Sequence, residues 1–319
     1  VVCGVKLKNP LILASGILGG TASILVRMAT GSGAGALITK SIGLKPRTGY
    51  RGPTVIKPFP NVVLNAMGLP NPGYLEFIKI YEDLRSINIP IIPSIFGETP
   101  EEFGTIAKAF EDAGAPLIEL NVSCPHSVER YNRRRIIAQD PVLTASVVAE
   151  VKREVNTPII VKLSPNVTDI AEIAVNAVKA GADALSGVNT FHAIEIEPYL
   201  ERPVLGNIVG GQSGGAIRPM AQYKILDIIL GLKRAKASGI IQREVPVIGM
   251  GGVQSGEDAA RFILLGCTCV GIGSAAIDNI NIFNIIKDEL IAYMRDMGYE
   301  NIDAFRGKVL SWLSYERAY

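Results

Sequence analysis

The residues of this chain that could do chemistry are few, and most stand just after an apolar run. In "ELNVSCPH", Glu119 to His126, an amide (Asn121), a thiol (Cys124) and an imidazole (His126) follow one apolar stretch. Cys124 has no second cysteine near it, and His126 two residues on is too close for the usual zinc spacing. The thiol is then either a small buried hydrophobe or a proton-transfer group. With a pKa of about 8.5, a thiol can act as general base near neutral pH, especially beside lysines. Two lysines have such a placing, Lys40 in "TKS" and Lys162 in "VKLSPN". Lys162 could form a Schiff base, bind phosphate, set positive charge beside an electron-rich ring, or close a structural ion pair; Lys40 is open in the same way. "GVNT" adds Asn189 and Thr190. Loop polarity explains serine and glycine at such places, but lysines and asparagines leaving apolar strands need partners if buried.

These groups must be placed by the elements before them. Short β-branched runs alternate with amphipathic helical patterns, the signature of parallel βα units. The strands expected are 11–15, 36–41, 91–96, 117–123, 159–164, 184–189, 245–251 and 269–274. Between them "TPEEFGTIAKAFEDAG" carries an N-cap at Thr99, Pro100 at the first helical position and a capping box with Glu102. Phe103, Ile106, Ala107 and Phe110 make its buried stripe, and Gly114 stops it. "DPVLTASVVAEVKREV" repeats the Asp-Pro start, and "SGEDAARFILLG" the Ser start and Gly stop. "GSGAGALI", "DAGAPLIEL", "KAGADALS" and "LLGCTCVGI" recur as one helix-to-strand joint. Eight such units without a composition break predict a single α/β domain over 1–319, a (β/α)8 TIM barrel with an N-terminal hairpin lid at "VVCGVKLKNP" and inserted loops. The long insertions are 42–90, with one helix, and 190–218. An open doubly wound sheet is the alternative. "GSGAGA" (31–36) matches a dinucleotide fingerprint in letters, but it precedes a strand where the fingerprint must follow one.

In a barrel the site lies at the C-terminal ends of the strands, where Ser15, Gly16, Lys40, Ser41, Ser94, Asn121, Lys162, Asn189 and Thr190 fall. "GMGG" (249–252) and "GIGS" (271–274) end the last two strands, the usual place for a phosphate, such as that of a flavin mononucleotide or a sugar phosphate. A net charge of +2 predicts no obligatory nucleic acid or acidic membrane partner. The apolar runs are too short and too interrupted for a membrane span. Four cysteines make no disulfide framework, which points to a reducing cytoplasm. The basic loop "HSVERYNRRR" reads as a solvated surface, or as an active-site lid or partner contact.

In this order, "NPLILASG", "TKSIGLKPRTG", "NAMGLPNPG", "ELNVSCPH", "VKLSPN", "GVNT", "RPVLGNIVGGQSGGAIRP", "GMGGV" and "GIGSA" resemble the class 1 dihydroorotate dehydrogenases. The resemblance implies an FMN enzyme of pyrimidine synthesis that oxidises (S)-dihydroorotate to orotate, with Cys124 as the base at C5. It implies substrate contacts from Lys40, Asn65, Met67, Gly68, Leu69, Asn121, Asn189 and Thr190. FMN would be held by Ala14, Ser15, Gly16, Lys40, Ser41, Asn121, Lys162, Val188, Ser213 and Gly214, and its phosphate by Gly251, Gly252, Gly273 and Ser274. A homodimer is expected. The resemblance leaves the electron acceptor open between fumarate and NAD reached through a separate FAD/2Fe-2S subunit, and "NVSCPH", "VNT" and "RPVLGN" lean towards the two-subunit type. The chain departs from many relatives at His126 and Ser94, where they carry asparagine. "SCPH" also occurs in dihydropyrimidine dehydrogenase, so a uracil-type oxidoreductase is the nearest alternative. A barrel lyase or aldolase using Lys162 is the more distant one.

Overall fold

The structure is a computed structural model, and it describes residues 1–123 and 136–313. Parallel strands form a ring whose order follows the chain: Leu11–Leu13, Ala36–Ile38, Ile91–Ile92 with Ser94–Ile95, Ile118–Asn121, Ile159–Lys162, Ala184–Gly187, Val247–Met250 and Cys269–Ile272, which pairs back to the first. The third stave is recorded as two pieces because Pro93 between them has no N–H to give. The second stave pairs with its first half, and the fourth with its second. Bonds from Thr39 N to Ile92 O (2.9 Å) and Ile42 N to Ser94 O (2.9 Å) carry the contact across the break. The eight staves stand where the apolar runs predict them, as a (β/α)8 barrel.

The helices that cover the ring start and stop on local signals. They are α1 (Ala22–Gly31), α2 (Tyr74–Asp83), α3 (Pro100–Asp112), α4 (Pro141–Glu154), α5 (Ile170–Lys179), α6 (Arg218–Ala237), α7 (Gly256–Leu265), the short α8 (Ala275–Asp278) and α9 (Ile282–Asp296). Thr99 caps α3 and accepts from Glu102 N. Glu102 reaches back to Glu98 N (2.7 Å), one residue before the cap, so the expected box closes one position early. Asp140 accepts from Val142 N and Leu143 N to start α4, and Ser255 caps α7, which Gly266 ends in the left-handed region. No helix among the described residues is long and apolar enough to cross a membrane.

Alternation along the strands divides the core in two. Outward residues such as Ile118, Leu120, Ile159 and Val161 join the helices in the main cluster. Inward residues Ile12, Ala36, Ile92, Leu117, Ile160, Ala184, Ile248 and Cys269 fill the barrel floor with Val2. The Val2↔Val5 hairpin packs there through Cys3, Val5 and Leu7. The expected lid therefore plugs the N-terminal end of the barrel, the end away from the polar strand tips. Its apolar faces match that floor.

The two insertions meet in a sheet of their own. Phe191–Ala193, Gly210–Ser213, Val62–Asn65 and Val55–Phe59 pair antiparallel in that order, with Gly211 opposite both His192 and Asn65. A Lys57–Asp278 ion pair and the bond from Gln254 Nε2 to Asn61 Oδ1 (3.2 Å) tie this sheet to the loops after the last two staves. The sequence reading expected only a helix in the first insertion; the strands are an addition.

Candidate active site

Above the apolar floor the barrel lining turns polar. On the fourth stave Ile118 and Leu120 face the helices, so Glu119 and Asn121 face inward. Glu119 is wholly buried, as are Ser94 and Ser186 on the third and sixth staves. Ser94 Oγ donates to Glu119 Oε1 and Ser186 Oγ to Glu119 Oε2, each at 3.0 Å. Ser41 Oγ lies 3.0 Å from Ser94 Oγ and 3.3 Å from Ser15 Oγ. Asn121 Nδ2 donates to Ser41 Oγ at 2.9 Å, while Asn121 Oδ1 takes Ser123 N at 3.3 Å and Asn189 Nδ2 at 3.5 Å. One chain of hydrogen bonds thus joins residues from five staves.

Lys162 sits in the same layer, opposite Asn121 on one side and Ser186 on the other. It is 5% exposed, and among the described residues its ammonium makes no hydrogen bond or ion pair. Lys40 follows the second stave, and burial lowers its pKa from the ordinary lysine value. Burying cations without counter-charge is costly. Two of them beside hydroxyls and amides suit a ligand that brings negative charge and many acceptors.

The two insertions build one flank. Asn65 ends its strand opposite Gly211. Beyond it Met67 O accepts Tyr50 N (3.0 Å), Gly68 has φ +74°, and Leu69 takes φ +52°, a left-handed conformation uncommon for a leucine. Asn71, missed in the sequence reading, holds this loop: its Nδ2 donates to Leu69 O (2.9 Å), and its Oδ1 accepts Gly73 N (2.8 Å) and Gly43 N (3.3 Å). Asn166 does the same for the opposite loop. Its Nδ2 donates to Thr190 O (2.9 Å) and its Oδ1 accepts His192 N (3.0 Å), while Asn189 Oδ1 accepts Thr190 N (2.8 Å). The available signal for both was a Pro-Asn step, in "LPNPG" and "SPNV", which marks a turn.

The glycine corner lies at the last two staves. Gly251 and Gly252 have φ +126° and +80°, and Cβ atoms there would meet Ala221 and Arg218 of α6 at 2.6 and 2.8 Å. Among the described residues, no backbone bond is donated by the amides of Gly251, Gly252, Gly273 or Ser274. Ser213 and Gly214 lie on the neighbouring strand end, where a Gly214 Cβ would be 2.2 Å from Asn61 O. Ala14 and Val188 are buried beside it, donating to Ile272 O (2.9 Å) and Met250 O (3.0 Å), and Gly16, at φ +93°, faces open space. Unspent amides at a tight backbone corner, one buried and one half-buried lysine and a lining of amides fit the phosphate and the acceptor-rich ring of a flavin nucleotide.

Cys124, His126 and the basic loop 127–135 lie outside the described residues. The other cysteines are poor nucleophiles. Burial pushes Cys3 up to about 11 and Cys269 up to about 12, and raises Cys267 as well. Among the described residues no group of His, Cys, Asp and Glu could hold a metal ion. Glu119 is the main residue that reading the sequence overlooked. Its alternation with Ile118 and Leu120 was visible, but a charge inside the barrel was not anticipated.

Comparison with known proteins agrees with this geometry. The family model for dihydroorotate dehydrogenase matches residues 1–294. The chain is 40% identical over 308 residues to the dihydroorotate dehydrogenase B (NAD(+)) catalytic subunit of Pyrococcus abyssi, covering 96% of this chain and 97% of that one. To the protein of the same name from Methanosarcina mazei it is 43% identical over 305 residues, 95% and 92% of the two chains. To that from Methanocaldococcus jannaschii it is 42% identical over 300 residues, 92% of each.

Proposed function

This chain belongs to the dihydroorotate dehydrogenase family and is an oxidoreductase of pyrimidine synthesis, and on that premise we propose how its residues oxidise (S)-dihydroorotate to orotate. The observation that carries the reading is the Asn121-centred network, which gathers amides from separate staves around one polar mouth. Asn65, Asn121, Asn189 and Thr190, with the backbone at Met67, Gly68 and Leu69, hold the edge of the pyrimidine ring. Asn suits this task because its amide N–H can donate to the oxygens of the ring while its own oxygen is held by neighbouring groups.

Cys124, three residues beyond Asn121, takes the proton from C5, which is acidified by the neighbouring carbonyl, as the hydride leaves C6. FMN, the flavin we assign to this site, supplies the two-electron acceptor when bound. Gly251, Gly252, Gly273 and Ser274 would hold its phosphate, and Ala14, Ser15, Gly16, Ser41, Val188, Ser213 and Gly214 would line it. Lys162 would favour negative charge at the pyrimidine end of its ring, and Lys40 would stand between ring and substrate.

The relatives are named as NAD(+) catalytic subunits. By that likeness the electrons of this chain pass to NAD through a separate FAD/2Fe-2S subunit, with the catalytic chain as a cytoplasmic homodimer of single barrel domains. The test is anaerobic mixing of the FMN-loaded protein with dihydroorotate. Bleaching of the flavin is expected, with no NADH formed until the second subunit is added. An unbleached flavin refutes the assignment. Faster bleaching with dihydrouracil would favour the dihydropyrimidine alternative. Borohydride trapping of substrate on Lys162 would favour the lyase.

A further inference from the structure

The carboxylate of Glu119 has no part in the chemistry just described, yet it is fully buried inside the barrel, where an unneeded charge would be destabilising. Its two oxygens each lie 3.0 Å from a serine hydroxyl, and a carboxylate only accepts, so both serines must donate to it. A hydroxyl has one proton. Ser94 therefore has none left for Ser41, and across their 3.0 Å contact Ser41 must donate to Ser94. Ser41 has then spent its own proton and can only accept from Asn121, 2.9 Å away. That obliges Asn121 to turn its Nδ2 towards Ser41 and its Oδ1 towards Ser123 N and Asn189 Nδ2. Each hydrogen bond in the series fixes the sense of the next.

We propose that Glu119 is a positioning residue for this reaction: through Ser94 and Ser41 it sets the donor–acceptor direction of the Asn121 amide, and thereby of Asn189, towards the ring they bind. The inference rests on the reading that these two amides hold the substrate. With both acceptor sites of Asn121 Oδ1 taken from within the protein, and one of the two on Asn189 Oδ1, what Asn121 has left for a ligand is an N–H donor, and Asn189 Nδ2 adds another. They match a ligand that presents oxygens on that edge, as the carbonyls and carboxylate of an orotate-type ring do. Without the anchor only the long bonds from Ser123 N (3.3 Å) and Asn189 Nδ2 (3.5 Å) would hold the amide of Asn121 in that sense. The turned-over amide, which presents an acceptor to those oxygens, would then be more populated.

The experiment is calorimetric binding of orotate to the FMN-loaded protein, with flavin content and Tm measured on each variant. Ser94→Ala cuts the path without touching the charge, and Glu119→Ala removes the anchor; each should weaken orotate by about tenfold while FMN stays bound. Glu119→Gln is the informative rescue. Its carbonyl can still accept from Ser94 while its amide faces Ser186, so it should bind orotate within about twofold of the parent. Ser186→Ala, which removes the other acceptor contact only, should do the same. The proposal is overturned if Ser94→Ala leaves orotate affinity unchanged. It is also overturned if Glu119→Gln is as weak as Glu119→Ala, since the charge and not the direction would then matter. Tm losses without a change in orotate affinity would reduce Glu119 to a structural group. Asn121→Ala separates the two readings: unaltered orotate binding there refutes the substrate assignment itself, whereas weakened binding there beside an unaffected Ser94→Ala refutes the anchor alone.

Discussion

Gly211→Ala adds a single methyl group at the junction of the two insertions, and its effect can be worked out from the surroundings. Gly211 pairs with Asn65 on one side and His192 on the other. A Cβ there would lie 2.0 Å from Thr190 Oγ1, 2.6 Å from Thr190 Cβ and 3.3 Å from Thr190 Cγ2, whereas ordinary contact begins at 3.4 Å. Rotating the threonine side chain moves the hydroxyl but not the Cβ, so the backbone at Thr190 has to shift by roughly 1 Å. That backbone is held by the bonds to Asn189 and Asn166, at 2.8 and 2.9 Å, and these must stretch or break. Overpacking of this kind costs about 1–3 kcal/mol of stability. A displacement of about 1 Å in a group that positions substrate costs on the order of 10²-fold in rate. We expect kcat/KM for dihydroorotate to fall by about that factor, with FMN content unchanged, because the residues assigned to the phosphate lie on other loops. Steady-state kinetics with an artificial acceptor, alongside flavin absorbance and Tm, measure all three. A Gly211→Ala enzyme with kcat/KM within about twofold of the parent would refute the reasoning, whatever its Tm.

Other perturbations test other parts of the site. Cys124→Ala should slow anaerobic flavin bleaching by about 10²–10⁴-fold in stopped flow while FMN remains bound, and loss of flavin instead would make the residue structural. Lys162→Met keeps the apolar stem and removes the charge; FMN should dissociate about tenfold more readily by fluorescence titration, and unchanged affinity would take Lys162 out of the cofactor site. Glu111, at the end of α3, controls the entry to the fifth stave. Burial alone would raise its pKa. The N–H of Thr157, the Lys108 ammonium, the N–H of Asn156 and the Thr157 hydroxyl outweigh that and lower it from 4.5 to about 2. A carboxyl with a depressed folded pKa contributes stability above its unfolded value and loses it as pH falls through the folded one. Glu111→Gln should therefore lower Tm at neutral pH, and the gap to the parent should shrink between about pH 4.5 and 2. A gap independent of pH would show that charge is not the source.

The sequence by itself determined the parts of this protein that depend on near neighbours. Thr99, Asp140 and Ser255 announce their helices because a cap is satisfied within three residues, and Gly114 and Gly266 stop theirs for the same local reason. Fully buried parallel strands read as apolar runs, so all eight staves, and the polar residues at their tips, were visible. Only the tertiary structure decided what those tips do together. The strand Gly210–Ser213 was invisible because "GGQS" has no strand propensity; it exists because Val62–Asn65, far away in sequence, pairs with it. The N-terminal hairpin had the right shape but no address until the barrel floor supplied an apolar seat for Val2. Glu119 shows the physical reason most directly. Its alternation with Ile118 and Leu120 says only that it faces inward. Whether a charge can survive there depends on Ser94 and Ser186, which reach it only when the ring closes.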